Sequence, residues 1–130
     1  VEVSVLVLHQ TASGWFQAHI QHGWASCPLT QNGCLRIMAQ PGYSQPQPLA
    51  ALMAMLSRST STPFHTFWPD DISLLDVARF NHAHIHSPRQ LTDLYLLSLA
   101  IRHSGCLVSF DRRIPLSAVP GARAEHLVLL

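Results

Sequence analysis

The hydrophobic and polar positions between Ser87 and Asp111 predict a helix, a tight turn and a buried strand in succession. Ser87, followed by proline and three positions later by glutamine, is typical of a helix start, and Thr92 is an alternative cap. Leucine and isoleucine then recur at helical spacing up to Gly105, where a left-handed residue should end the helix near residue 104. Residues 106–110 are apolar and too few for a second helix, so we predict a strand of a mostly parallel sheet.

The rest of the chain predicts further strands and helices in alternation. Alternating valines and β-branched residues at the amino terminus predict a first strand in the middle of the sheet. Asp70 and Asp71 are expected to cap the helix that follows them. The predicted strands are residues 1–8, 23–27, 64–68 and 126–130, and the predicted helices are residues 11–21, 28–38, 49–56 and 72–80.

This order of elements predicts an α/β fold, a three-layer α/β/α sandwich. Its sheet should be mainly parallel, with four or five strands and helices on both sides. A chain of 130 residues with 48% hydrophobic content is large enough to bury one core, so we predict a single domain over residues 1–130.

Two carboxylates flank the central helix and strand. Asp93 lies near the start of the predicted helix, and Asp111 directly follows the strand. Because open α/β sheets place ligand sites beyond the carboxyl ends of their strands, both side chains can face one crevice and bind a divalent cation. The alternative is structural: Asp93 caps the helix, and Asp111 opens a turn with Arg112 and Arg113. The local pattern leaves both interpretations open.

Charge and cysteine content restrict the function classes. The chain has a net charge of +1, and its eight basic residues are all arginine, so it cannot form an extended basic patch. Contact with nucleic acid must therefore depend on a few local arginines and on metal. Three cysteines without CxxC spacing or a signal peptide indicate a reducing, cytoplasmic setting with buried thiols. No apolar run approaches the length of a membrane span.

Three ordered blocks of the sequence resemble PIN-domain proteins, in particular the VapC-type toxins of type II toxin-antitoxin pairs. The block TDLYLLSLAIRHSGCLVSFDRRIPL is similar to the family's TDAYLLALAVRHGGRLATFDRGI. Upstream, WASCPLTQNGCLRIM resembles WATCPLTENGFLRVL, and FWPDDISLLD resembles FWPDDLSLLD. The resemblance extends over about residues 9 to 130, and its order makes it specific.

The resemblance implies a site of four acidic positions, two of which this chain keeps as Asp93 and Asp111. Gln31 stands where the family's CPLTENG has its second acid, and an amide oxygen can ligate Mg²⁺ without adding charge. Alternatively, Gln31 is a helix-surface amide that hydrogen-bonds its neighbours. The first acid is either replaced by Glu2 or absent, if residues 1–8 are the strand itself. We expect Asp93, Asp111, Gln31 and Glu2 to be catalytic. Of these, Asp93, Asp111 and Gln31 are expected to bind Mg²⁺ or Mn²⁺.

The resemblance also implies substrate and partners. Members of the family are metal-dependent endoribonucleases that a cognate VapB-like antitoxin neutralises. They pair as homodimers through outer helices, and the corresponding helix of this chain is residues 49–56. The residues expected to position RNA are Thr30, Asn32, Thr92, Arg112 and Arg113.

Two functions remain open at this point. The first is a ribonuclease toxin with reduced or altered metal use, and the second is a catalytically inactive PIN-fold module that binds an antitoxin or acts as a scaffold. A third interpretation is that the amino terminus has been trimmed or altered.

A separate pattern raises a different metal hypothesis. His82, His84 and His86 alternate along the sequence, and on an extended segment they would present three imidazoles on one face to zinc or nickel. The alternative is a solvated loop beside the crevice.

Overall fold

A five-stranded parallel sheet organises the protein. The computed structural model describes residues 4–7, 20–41, 47–109 and 111–130. The sheet has the order β3-β2-β1-β4-β5, and every neighbouring pair of strands is parallel. The first strand therefore lies at its centre, as predicted, and the α/β class with parallel strands is confirmed. The strands are β1 (Ser4–Val7), β2 (Trp24–Ser26), β3 (His65–Phe67), β4 (Gly105–Ser109) and β5 (Leu127–Leu129).

Three α-helices lie within the described residues, α1 (Pro28–Met38), α2 (Leu49–Ser59) and α3 (Leu91–Arg102). The bounds of α1 agree with the prediction, whereas α2 continues past residue 56. A short 3₁₀ turn, residues 88–90, precedes α3, and Ser87 caps that turn by accepting a hydrogen bond from the backbone N–H of Arg89. Ser87 rather than Thr92 therefore begins this helical segment. Of the predicted helix at residues 11–21, residues 11–19 lie outside the described part of the chain.

The turn between α3 and β4 differs from the prediction by one residue. Ser104, with φ of 60°, takes the left-handed conformation expected of Gly105. Gly105 is instead the first residue of β4 and lies opposite Ser4 of β1. Because the sheet uses the glycine as a strand residue, the chain must turn one position earlier.

The predicted helix at residues 72–80 is wrong. The segment consists of turns, and the Asp76 carboxylate accepts a hydrogen bond from the backbone N–H of Ala78, a local bond that competes with helix formation. Phe80 is fully buried at the end of the segment, while Leu75 is 82% exposed. A regular helix was predicted because local spacing does not reveal which of these apolar side chains the core takes up.

Asp70 and Asp71 consequently do not cap a helix of their own. The Asp70 carboxylate accepts a hydrogen bond from the backbone N–H of Leu29 at 3.1 Å, so it caps the first turn of α1. The Asp71 carboxylate accepts a hydrogen bond from Nε of Arg102 at 2.9 Å, at the end of α3. The Arg102 guanidinium lowers the pKa of Asp71. This turn thus joins the ends of two helices.

The core forms around α3, half of whose residues are buried. Each buried leucine contributes roughly 1.5–3 kcal/mol through removal of apolar surface from water. Trp68, directly after β3, and Phe80, at the end of the non-helical segment, join the same cluster. The buried residues of α3 are Leu94, Leu96, Leu97, Ser98, Leu99 and Ala100.

Two further expectations have structural outcomes. Cys27 and Cys106 are buried as predicted, Cys34 is half-buried, and burial raises the pKa of all three thiols. No helix in the described part of the chain is long and apolar enough to cross a membrane.

We predict that Phe80→Ala lowers the free energy of unfolding by about 3–5 kcal/mol, because it leaves a cavity in a closed core. Urea denaturation measures this change. Phe64→Ala is the matched control, since Phe64 is 43% exposed and its loss should cost far less. Equal losses in the two variants would contradict the position of Phe80 in the core.

Candidate active site

A cleft of about 830 Å³ lies where α1, the start of α3 and the segment after β4 meet. Because all strands are parallel, the segment after β4 leaves the carboxyl edge of the sheet, where α/β folds place their ligand sites. The predicted site residues that line this cleft are Thr30, Asn32, Thr92, Asp93, Asp111, Arg112 and Arg113.

The turn after β4 holds Asp111 in a defined orientation. Its backbone N–H donates to Oγ of Ser109 at 3.0 Å. Its carboxylate accepts hydrogen bonds from the backbone N–H of Arg113 at 2.9 Å and from Nε of the same arginine at 3.2 Å. The structural alternative, a turn formed with Arg113, is thus present together with the position in the cleft.

The two carboxylates differ in their electrostatic environment. Burial raises the pKa of Asp93, and the nearby charge of Asp111 raises it further. The backbone N–H and guanidinium of Arg113 lower the pKa of Asp111. A pair whose environments move their pKa values apart is typical of functional carboxylates, although structural networks produce the same effect.

The residues of the cleft fit a hard divalent cation. Mg²⁺ in enzymes usually keeps several waters and is held by one or two carboxylates together with substrate phosphates. Asp93 and Asp111 supply such a pair. Within the described ranges, no group of three or more His, Cys, Asp or Glu could hold a metal ion, so a cation here would depend on these two carboxylates, neutral oxygens and water.

The side chain of Gln31 points to a different partner. Its amide Nε2 donates to Oγ of Ser26 at 2.9 Å, and Gln31 is not among the described residues that line the cleft. The alternative interpretation, an amide that bonds its neighbours, agrees with this contact. Glu2 lies outside the described residues, and β1 begins at Ser4.

The histidine hypothesis is wrong in its premise. His82–His84 form a 3₁₀ turn instead of an extended segment. The His82 ring contacts the Leu74 carbonyl at 2.7 Å, and the His84 ring contacts the Ser117 carbonyl at 3.3 Å. The imidazoles of His82 and His84 therefore contact the backbone of two separate segments.

Sequence reasoning found Thr30 and Asn32 but missed the rest of the wall that α1 contributes to the cleft. Arg36 is one of its residues, and Gly33 leaves open space where a Cβ would stand. A signal was present, because the wall follows the i, i+3, i+4, i+7, i+8 spacing of one helix face. The residues on this face are Leu29, Asn32, Gly33, Arg36 and Ile37.

Comparison with known proteins gives consistent relatives. The chain is 45% identical over 122 residues to Ribonuclease VapC44 of Mycobacterium tuberculosis (strain CDC 1551 / Oshkosh). The matched residues make up 94% of this chain and 86% of that protein. It is 36% identical over 116 residues to Ribonuclease VapC39 of the same strain, covering 88% and 84%. Ribonuclease VapC29 of that strain is 36% identical over 105 residues, covering 81% and 73%. No protein-family model and no solved structure matches the chain.

We predict that Asp93→Asn raises the free energy of unfolding at neutral pH. A raised pKa means that the folded state disfavours the ionised carboxylate, so the stability of the protonated form is lost as pH rises through the folded-state pKa. The amide avoids this loss, and the difference should vanish in acid. Urea denaturation in EDTA across pH measures it.

Glu125→Gln is the control, because this carboxylate is 70% exposed and its loss should change stability little. A destabilised Asp93→Asn protein at neutral pH would show that the carboxylate is favourably bound as an anion.

Proposed function

The chain belongs to the VapC family of PIN-domain toxins, and from this membership we propose that it is a Mg²⁺- or Mn²⁺-dependent endoribonuclease. The observation that carries the proposal is the pair Asp93 and Asp111 in one cleft, with Arg112 and Arg113 beside it. Two acids and two arginines in a concave site provide for a cation and for a phosphate.

The side chains have distinct roles in this proposal. Asp93 and Asp111 would hold the cation, and a cation bound there would supply Lewis-acid activation of water and balance the charge on the scissile phosphate. Arg113 keeps Asp111 ionised and oriented. Arg112 and Arg36 face the cleft as donors to backbone phosphates, which position RNA without reading its sequence.

The α1 wall, apart from Arg36, and Thr92 of α3 provide the neutral part of the RNA site. Asn32 and Thr92 present polar groups at the cleft, while Leu29 and Ile37 add apolar surface. The Thr30 hydroxyl bonds to the backbone carbonyl of Cys27 at 3.0 Å, so its role is to hold the helix start more than to bind RNA.

A second candidate function is a catalytically inactive PIN-fold module that binds an antitoxin or serves as a scaffold. The contact of Gln31 with Ser26 favours it, because position 31 brings no charge and its side chain is held by a residue outside the cleft lining. Metal-dependent RNA cleavage separates the two functions.

The remaining expectations belong to the same proposal. The partners are RNA and a cognate VapB-like antitoxin, and the fold is a three-layer PIN-like sandwich in one domain with a cytoplasmic setting. A homodimer through α2 is supported by its apolar surface, since Leu49 is 52% and Met53 is 53% exposed.

We predict that Asp93→Asn and Asp111→Asn each reduce Mn²⁺ affinity and RNA cleavage by more than about 100-fold, since removal of a ligand should exceed the roughly 10- to 100-fold effect of outer groups. Calorimetry and a gel assay measure the two effects, with Glu125→Gln as a control. Parent protein that cleaves no RNA with Mg²⁺ or Mn²⁺ would support the inactive module.

Gly33 tests whether RNA enters this cleft. Gly33→Tyr should fill the open space and lower RNA cleavage while Mn²⁺ still binds to the carboxylates. Gly33→Ala is the matched variant, and it should raise the free energy of unfolding by about 0.5–1 kcal/mol because alanine favours helix. Unchanged cleavage by Gly33→Tyr would place RNA elsewhere.

We predict that the protein is a dimer and that Met53→Glu makes it a monomer, because the new charge would have to be buried in the interface. Sedimentation equilibrium measures this. Ala54→Glu adds the same charge to a neighbouring face of α2 and should leave the dimer intact. A monomeric parent at micromolar concentration would refute the interface.

A further inference from the structure

Three side chains beside the cleft, those of Gln31, Ser26 and His65, form a continuous hydrogen-bonded relay that no expected role accounts for. Gln31 Nε2 lies 2.9 Å from Ser26 Oγ, and Ser26 Oγ lies 2.7 Å from His65 Nε2. Ser26 is only 5% exposed, so its hydroxyl depends on these partners.

The number of available protons decides which group donates in each hydrogen bond of this relay. Because Ser26 Oγ accepts the N–H of Gln31, the Ser26 hydroxyl proton is left for the other partner of this oxygen, His65 Nε2. Nε2 then accepts, so the proton of the neutral His65 ring is on Nδ1. The buried Ser26 hydroxyl is thereby satisfied both as a donor and as an acceptor.

The surroundings of His65 favour the neutral ring. The groups placed against it are the Ser26 hydroxyl and the Trp24 ring, whose centroid is 4.5 Å away. Burial lowers the pKa of His65, and no charged side chain contributes to the shift in the described part of the chain.

We infer that Ser26 and His65 are positioning residues that hold Gln31 as the donor end of this relay, with the Gln31 side chain directed away from the cation pair. The relay requires an amide at position 31. An ionised carboxylate there has no proton to give, so the carboxylate and His65 Nε2 would compete for the one hydroxyl proton of Ser26. Gln31 is therefore matched to His65 and is an anchor of α1 rather than a cation ligand.

The anchor bears on the cleft because residue 31 lies between two lining residues, Thr30 and Asn32, on the first turns of α1. It joins these turns to the end of β2 and to the start of β3, while Asp70 holds the helix start. The inference rests on the proposed function only in treating Asp93 and Asp111 as the cation pair.

Nitrogen-15 NMR of the histidine rings tests the relay. In the parent protein His65 should be neutral with its proton on Nδ1. In Gln31→Glu its pKa should rise by about one unit or more, because a protonated ring relieves the competition at Ser26. Asn32→Asp adds a charge to the adjacent position outside the relay and should leave the His65 resonances unchanged.

Two hydroxyl variants separate positioning from general damage to the fold. Ser26→Ala should remove the hydrogen-bonded signature of Nε2 and weaken RNA cleavage. Ser26→Thr should restore both, since it keeps the hydroxyl, and the family's WATCP block has threonine at this position. Retention of the Nε2 signature and of full RNA cleavage in Ser26→Ala would contradict the relay. A parent protein with the His65 proton on Nε2 would contradict it as well.

Mn²⁺ titration gives the remaining outcome. If Gln31 is an anchor, Gln31→Glu should change Mn²⁺ affinity by less than about tenfold, well below the effect of Asp93→Asn. A larger gain with an unchanged His65 pKa would show that position 31 is a ligand. Failure of the parent to bind Mn²⁺ would count against the proposed function, while the His65 tautomer would still decide the relay.

Discussion

The packing of α3 against the central strands determines where the chemistry can occur. The helix has 12 residues, about 18 Å, and the strand that follows it has five, about 16.5 Å. The helix and the strand run in opposite directions on either side of the turn at Ser104 and have similar lengths. The start of the helix therefore lies beside the end of the strand. Asp93 and Asp111 meet in one cleft for this reason, and the buried leucines of α3 fix the arrangement.

The carboxylate pair illustrates a conflict between stability and function. Burial and the charge of Asp111 make ionised Asp93 unfavourable, while Arg113 makes ionised Asp111 favourable. A cation between the two would remove the unfavourable part of this arrangement. Strain of this kind is expected at binding sites, where the ligand supplies the compensating interaction.

Hydrogen bonds between distant segments complete the site. Asp70 caps α1 from 41 residues away, and Ser26, which holds Gln31, bonds to His65 across 39 residues. Both contacts act on the helix that forms one wall of the cleft. The exchange of acid for amide at position 31 therefore changes a network that spans α1, β2 and β3 as well as the charge of the site.

The sequence by itself determined the elements that local chemistry controls. Helical spacing, caps and apolar runs indicated α1, α3, β4 and the central β1, and parallel-strand logic brought Asp93 and Asp111 to one edge. Only the tertiary structure decided the direction of individual side chains. Gln31 could face a cation or a neighbour, and the buried hydroxyl of Ser26 selected the neighbour. Asp70 and Asp71 serve helices other than the one predicted for them, and residues 72–80 form turns. These outcomes depend on partners distant in sequence, and local spacing contains no information about which partners will be near.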